Sequence, residues 1–142
     1  MNVLGRVEKV NFPNLQLFEI DAKIDTGAYT TALHCHDIVE KMENNKKKLF
    51  FKLLDPSHPD YNEREIVFNQ YEKKQIKNSF GDLEERFVIK TTIQIGNRKI
   101  KTLMSLTDRG SMKYPVLIGR RLLKNKFVVD VSKIYTQLNG NL

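Results

Sequence analysis

A single cysteine, Cys35, is all the thiol that this chain of 142 residues carries. One thiol cannot close an intrachain disulfide, so the core has to hold the fold, and a reducing, cytoplasmic compartment is the expected setting. No apolar run approaches the roughly 20 residues that cross a bilayer as a helix, so no membrane is expected as a partner. The first residues alternate polar and apolar side chains where a secretory signal would carry a continuous apolar core. No repeat, low-complexity stretch or Pro/Gly/Ser-rich linker divides the sequence, and its length suits a single domain over residues 1–142. His-Glu-x-x-His and the phosphate-cradling Gly-x-x-x-x-Gly-Lys-Ser/Thr are both missing, which removes the plainest signs of a zinc peptidase and of a nucleotide site.

What is present is an ordinary globular mixture, 40% hydrophobic and 29% charged, with a net charge of +7. That charge favours acidic partners by long-range attraction: nucleic acid, an anionic surface or an acidic peptide. The cations are scattered apart from Lys46-Lys47-Lys48 and Arg120-Arg121, as they would be on solvated strand faces. Lys46 to Lys52 sets lysines beside Phe50 and Phe51, as a base-stacking platform would. A strand with core phenylalanine and solvent lysine reads the same way, and no nucleic-acid module accompanies it. Nucleic acid is therefore not expected as a partner.

The chain reads mostly as short strands. Val3 to Val10 and Leu15 to Ile24 are β-rich runs separated by the turn-forming Asn11-Phe12-Pro13-Asn14. Leu49 to Leu54 and Glu65 to Asn69 flank a segment whose two prolines, Pro56 and Pro59, forbid regular pairing. Phe87 to Ile95 alternates, and Gly96-Asn97 turns it into Lys99 to Leu106, a hairpin. Val116 to Ile118 is an apolar run of the kind buried on both faces, Gly119 to Asn125 suits one or two helical turns, and Phe127 to Val131 is a last strand. Short strands with little helix predict an all-β, barrel-like domain.

Chemistry concentrates in Ala22-Lys23-Ile24-Asp25-Thr26-Gly27-Ala28, where a carboxylate ends a β-rich run and a hydroxyl residue and a glycine follow at once. Two such carboxylates held about 3 Å apart cannot both ionise, as in aspartic peptidases generally, so one keeps its proton. The ionised member acts as general base on a water, and the protonated one polarises the scissile carbonyl. Gly27 leaves room beside Asp25, and the Thr26 hydroxyl can bond across to a partner loop. Asp-Thr-Gly alone arises by chance in roughly a few per cent of chains this long, and a strand-ending turn capped by Asp25 reads identically.

The context is wider than the tripeptide. Val116-Leu117-Ile118-Gly119-Arg120 followed by Leu122-Leu123 resembles the second signature of the retropepsin family. A closer resemblance spans most of the chain. Ala22 to His34, Val88 to Thr92, Leu106 to Arg109 and Met112 to Arg120 are similar to a bacterial and archaeal family found beside RimK-type glutamate ligases and labelled "ATP-dependent zinc protease". Tyr29 stands where that family usually has arginine, and Gly110 where an acidic residue commonly follows the arginine.

The resemblance implies an acid-protease-like closed barrel with one short C-terminal helix, and an aspartic endopeptidase needing no cofactor and no metal. Asp25, Thr26 and Gly27 would be its catalytic loop. Ala28, Arg109 and a flap tip at Ser79, Phe80, Gly81 and Asp82 would meet the substrate. One chain holds one Asp-Thr-Gly, so the second half would come from a homodimer, whose twofold axis sets two Asp25 side chains face to face. The substrate would be a peptide or protein, and the ligase association points to acidic, glutamate-rich chains.

Two other readings stay open. A zinc-dependent peptidase would need ligands from His34, His36 and His58, of which the first two share a face only on a strand. A retropepsin-like module without catalysis would dimerise and only bind. Arg109 could clamp a substrate carboxylate or simply pair with Asp108, and Arg120 is expected in a structural ion pair. Asp21, Asp37 and Asp130 have no partner that the sequence identifies.

Overall fold

The computed structural model describes residues 2–78, 80–108 and 113–137. In chain order these form β1 (Asn2–Leu4), β2 (Val7–Phe12), a 3-10 turn (Pro13–Leu15), β3 (Leu17–Ile24), β4 (Thr31–Glu43), β5 (Lys46–Leu53) and β6 (Glu65–Phe68). They continue with β7 (Glu72–Lys77), β8 (Leu83–Ile95), β9 (Arg98–Thr107), β10 (Val116–Ile118), α1 (Arg120–Leu123) and β11 (Phe127–Val129). The protein is all-β with one short C-terminal helix, as expected.

Strand pairing runs β10-β3-β2-β8-β9-β4, and β4 also pairs with β10, so these strands form a ring. The join between β2 and β8 is a single pair, Asn11 with Gln94, which makes the sheet only partly ring-like. Inside it lie fully buried Phe12, Ile20, Leu33, Phe51, Ile93 and Met104. Burying side chains of this size contributes roughly 1.5–3 kcal/mol each. Cys35 joins that core as a free thiol, and burial pushes its pKa well up. Among the described residues no helix is long and apolar enough to cross a membrane.

Several elements differ from their sequence-based forms, and the run from Val3 to Val10 is split into β1 and β2, which lie in different sheets. The expected turn at Asn11-Phe12 is still strand; Pro13 starts the 3-10 turn, and Gln16 leaves it in a left-handed conformation. The longer surprise is β4, which pairs with β5 across an Asn44-Asn45 loop with both asparagines at positive φ. Asparagine tolerates that region better than most residues, which suits a two-residue hairpin loop.

The chain ends are tied together by a buried carboxylate. Glu8 is 0% exposed and accepts from the Gly5 N–H at 2.6 Å, the Thr136 hydroxyl at 2.6 Å and the Gln137 N–H at 3.2 Å. Each bond answers the cost of taking the charge out of water.

Candidate active site

Asp25 is held where β3 ends. Strand β10 lies beside β3 in parallel, Ile118 level with Ile24, and antiparallel to the start of β4, Val116 level with Leu33. It therefore fills the gap between the two strands that flank the loop of residues 25–30. The Asp25 N–H donates to the Ile118 carbonyl at 2.9 Å. Within the loop, the Ala28 N–H closes a turn on the Asp25 carbonyl at 3.1 Å, and the Gly27 N–H donates to Asp25 Oδ1 at 3.1 Å.

The first amides of a helix have no partner inside it. Here they serve the loop: the Arg120 N–H donates to the Ala28 carbonyl at 2.8 Å and the Arg121 N–H to the Tyr29 carbonyl at 3.2 Å. The Gly119 N–H donates to the buried Thr31 hydroxyl at 3.1 Å. A side chain at position 119 would put its Cβ 2.5 Å from the Tyr29 carbonyl oxygen. Only glycine admits that approach.

A cleft of about 500 Å³ opens over this loop. Its floor is Asp25, Gly27, Ala28 and Leu117; its roof is the β7–β8 hairpin, through Gln75 to Asn78 and Arg86. Asp25 is half-buried, while Thr26 and Gly27 are exposed beside it. The Thr26 hydroxyl makes no hydrogen bond within the described residues. Among the described residues lining the cleft, Asp25 is the lone carboxylate, and Lys77, Arg86 and Arg120 are its cations, Arg86 being paired with Glu84 at 2.7 Å. A second groove of about 670 Å³ shares Leu117 and adds Arg6, Lys23 and Lys113 around apolar Val7, Ile24 and Val131. The cleft thus keeps Lys77 and Arg120 with Asp25, and the neighbouring groove is positively lined.

The structure places the expected site residues unevenly. Asp25, Gly27 and Ala28 meet in the cleft. Phe80, Gly81 and Asp82 form the tip of the β7–β8 hairpin, where Gly81 takes a φ of +86° and Phe80 is 91% exposed, and none of the three lines the cleft. The strand stem faces it instead. Ser79 and Arg109 lie outside the described residues. Arg120 forms no ion pair among the described residues, contrary to the sequence reading. Its guanidinium donates to the Gly27 carbonyl at 3.3 Å and sits 5.3 Å from the Tyr29 ring centre.

The other acids singled out in the sequence have partners: Asp21 takes Lys9 at 2.8 Å and the Tyr135 hydroxyl at 2.9 Å, Asp37 takes Lys52 at 3.3 Å, and Asp130 accepts from the Ser132 hydroxyl at 2.6 Å. The histidines do not converge. His34 is buried beside Asp55 at 3.6 Å, and burial lowers its pKa despite that carboxylate and Asp108. His36 lies between Asp37 and Asp108, and His58 Nδ1 accepts from the Asp60 N–H at 3.0 Å. Among the described residues no group of three His, Cys, Asp or Glu side chains is gathered for a metal ion.

Sequence reasoning missed the cleft wall, Gln75, Lys77 and Arg86, and the Thr31 hydroxyl behind Gly119. Only Thr31 left a trace, as a hydroxyl residue opening a strand just past the Asp-Thr-Gly loop.

A strand-ending Asp-Thr-Gly loop, clamped from behind by an apolar-apolar-glycine strand and a short helix under a hairpin roof, defines a retropepsin-like fold. The model of a family described as RimB-like, retropepsin-like aspartic endopeptidase RimB, matches residues 3–139, and the chain belongs to that family. It is 33% identical over 137 residues to a "Probable alpha-L-glutamate ligase" of Shewanella halifaxensis, covering 94% of this chain and 29% of that protein. A protein of the same name from Parasynechococcus marenigrum is 30% identical over 132 residues, covering 90% of this chain and 28% of the relative. The chain thus spans less than a third of the length of these curated relatives. Among solved structures, the Legionella pneumophila protein Lpg0085, of unknown function, superposes with a TM-score of 0.69 at 25% identity, covering 96% of this chain and 98% of the other.

Proposed function

We propose that this chain is an aspartic endopeptidase whose catalytic pair is Asp25 from each of two copies, and that it cleaves acidic, glutamate-rich peptides. The observation that carries the reading is Asp25 itself, half-buried on the floor of a roofed cleft where, among the described residues, no second carboxylate lines the wall. A lone carboxylate cannot serve as both acid and base on one water, so a symmetric partner completes the pair. The exposure of Thr26 and Gly27 supports such a pairing, with the Thr26 hydroxyl unbonded among the described residues.

In the pair, closeness keeps one carboxyl protonated. The ionised one takes a proton from the water as its oxygen attacks the scissile carbonyl, and the protonated one donates to the carbonyl oxygen. The Gly27 N–H, already on Asp25 Oδ1, fixes the orientation of the carboxylate. The hairpin over the cleft would exclude bulk water once substrate is bound.

Lys77 and Arg120 in the cleft and the cations of the neighbouring groove support an acidic substrate. So does the relatives' name, "Probable alpha-L-glutamate ligase": in those proteins a region similar to this one occupies under a third of the length. The test uses glutamate-rich and neutral peptide libraries, wild type against Asp25→Asn, with and without chelator. The expected result is cleavage of the acidic set, a loss of at least about a thousandfold in the mutant, and indifference to chelator. Unchanged cleavage by Asp25→Asn would sink the aspartic mechanism. Loss with chelator would point to zinc, and binding without cleavage at any pH to a non-catalytic module.

A further inference from the structure

A third groove, of about 390 Å³, runs between the outward face of the β8–β9 hairpin and α1. Four cations line it: Lys90 of β8, Lys101 of β9, Arg121 of α1 and Lys126 just beyond. No carboxylate lines it, and none of the four is in an ion pair among the described residues. Lys90 stands opposite Leu103, and Lys101 is two residues along the same strand, so all three share a face. Ile100, Leu103 and Leu122 supply apolar lining between the charges. Like charges so grouped repel, and an anion laid among them relieves that cost.

The groove is linked to the cleft. Tyr29 lines the cleft, and its ring has Arg120 at 5.3 Å and Arg121 at 5.9 Å. Arg121 therefore belongs to the groove and stands over a residue of the cleft. We infer that the groove is an exosite for an acidic peptide, holding the glutamate-rich stretch that runs on from the cleft. The inference rests on the acidic-substrate reading and adds a binding site that the chemical step does not use. A chain gripped at two points binds more tightly than at either, because the second contact forms within the complex. A peptide fits better than nucleic acid. Among the described residues no aromatic side chain lines the groove to stack a base, whereas its apolar surface suits the methylenes of glutamate side chains.

The test uses the full chain carrying Asp25→Asn, so that probes stay intact. Binding is measured for labelled oligo-α-glutamates of about twelve residues, reaching roughly 40 Å extended, and of about four. The long probe is expected to bind at least about tenfold more tightly than the short one. Lys101→Gln with Lys126→Gln should collapse that ratio towards one. Lys46→Gln with Lys47→Gln, an equal charge loss elsewhere, should preserve it, with thermal melting confirming that both double variants fold. Equal collapse in both would reduce the effect to net charge and overturn the exosite. So would a ratio near one in the parent, or an oligothymidylate of matched charge binding the groove in preference to the long probe. Cleavage is read separately. Wild-type chain that binds but does not cut removes the peptidase and leaves the groove, whereas cutting with an unaltered ratio in the groove variant removes the groove alone.

Discussion

Gly119 and His34 show how single residues set the limits of this fold. An added Cβ at Gly119 would lie 2.5 Å from the Tyr29 oxygen and 2.7 Å from the Thr30 carbonyl carbon. Both obstacles are backbone, and both belong to the loop that carries Asp25. Gly119→Ala is expected to cost about 1–3 kcal/mol in urea unfolding. It should also lower kcat by about a hundredfold, since a displacement near 1 Å costs roughly that much. Wild-type values for both would mean that the loop is not clamped there.

His34 makes its mark through pH. It is 1% exposed, neither ring nitrogen is hydrogen-bonded among the described residues, and desolvation holds its pKa below the ordinary 6.5 despite Asp108 and Asp55. Below about pH 6.5 the unfolded chain takes up a proton that the folded chain refuses. Stability therefore falls as pH drops from there through the lowered pKa, and His34 contributes no slope well above about pH 6.5. Urea unfolding of wild type and His34→Leu at about pH 7.5 and pH 5.5 checks this. The wild type should lose more stability on acidification, and equal losses would clear His34 of the effect.

At the scale of elements, the roof of the cleft is anchored at its base. The Tyr71 hydroxyl donates to Glu40 of β4, which pushes the phenol up to about 12, and Lys73 reaches the same carboxylate at 3.2 Å. The Tyr71 ring meets Phe87 edge-on at 5.8 Å. Tyr71→Phe keeps the ring and drops the bond. It is expected to cost about 0.5–1.5 kcal/mol and to speed amide exchange in β7 while the core stays protected. Uniform exchange changes across all strands would show a global effect instead of a loosened hairpin.

These elements were unequally legible in the sequence. The β8–β9 hairpin announced itself by alternation and Gly96-Asn97, and β10 by an unbroken apolar run. Strand β4 hid because its alternation fails twice: Thr31 to Cys35 are all buried, and a bulge at Asp37, φ +50°, then shifts the register. Asn44-Asn45 was the local clue to its hairpin. Strand β7 is almost wholly exposed, so it has no apolar face to read and depends on pairing with β8. The Asp-Thr-Gly loop was readable because its chemistry is contiguous. The cleft wall at Lys77 and Arg86 was not, because it meets that loop only through the folded sheet.

Among its described residues the molecule presents one carboxylate in the cleft, which makes the proposed chemistry a property of two chains. If each active site needs Asp25 from both partners, mixing wild type with an equal amount of Asp25→Asn should poison it. With free exchange, only about a quarter of the dimers would carry two intact carboxylates. Activity per total wild-type chain should then fall to about half, and dilution should lower specific activity further as pairs separate. The measurement is peptide cleavage after the mixture has equilibrated, repeated over a dilution series beside sedimentation of the same samples. Activity strictly proportional to wild-type chain at every ratio and dilution would assign the reaction to a single subunit. Asp25 would then need a different partner for its proton, one that the described cleft does not contain.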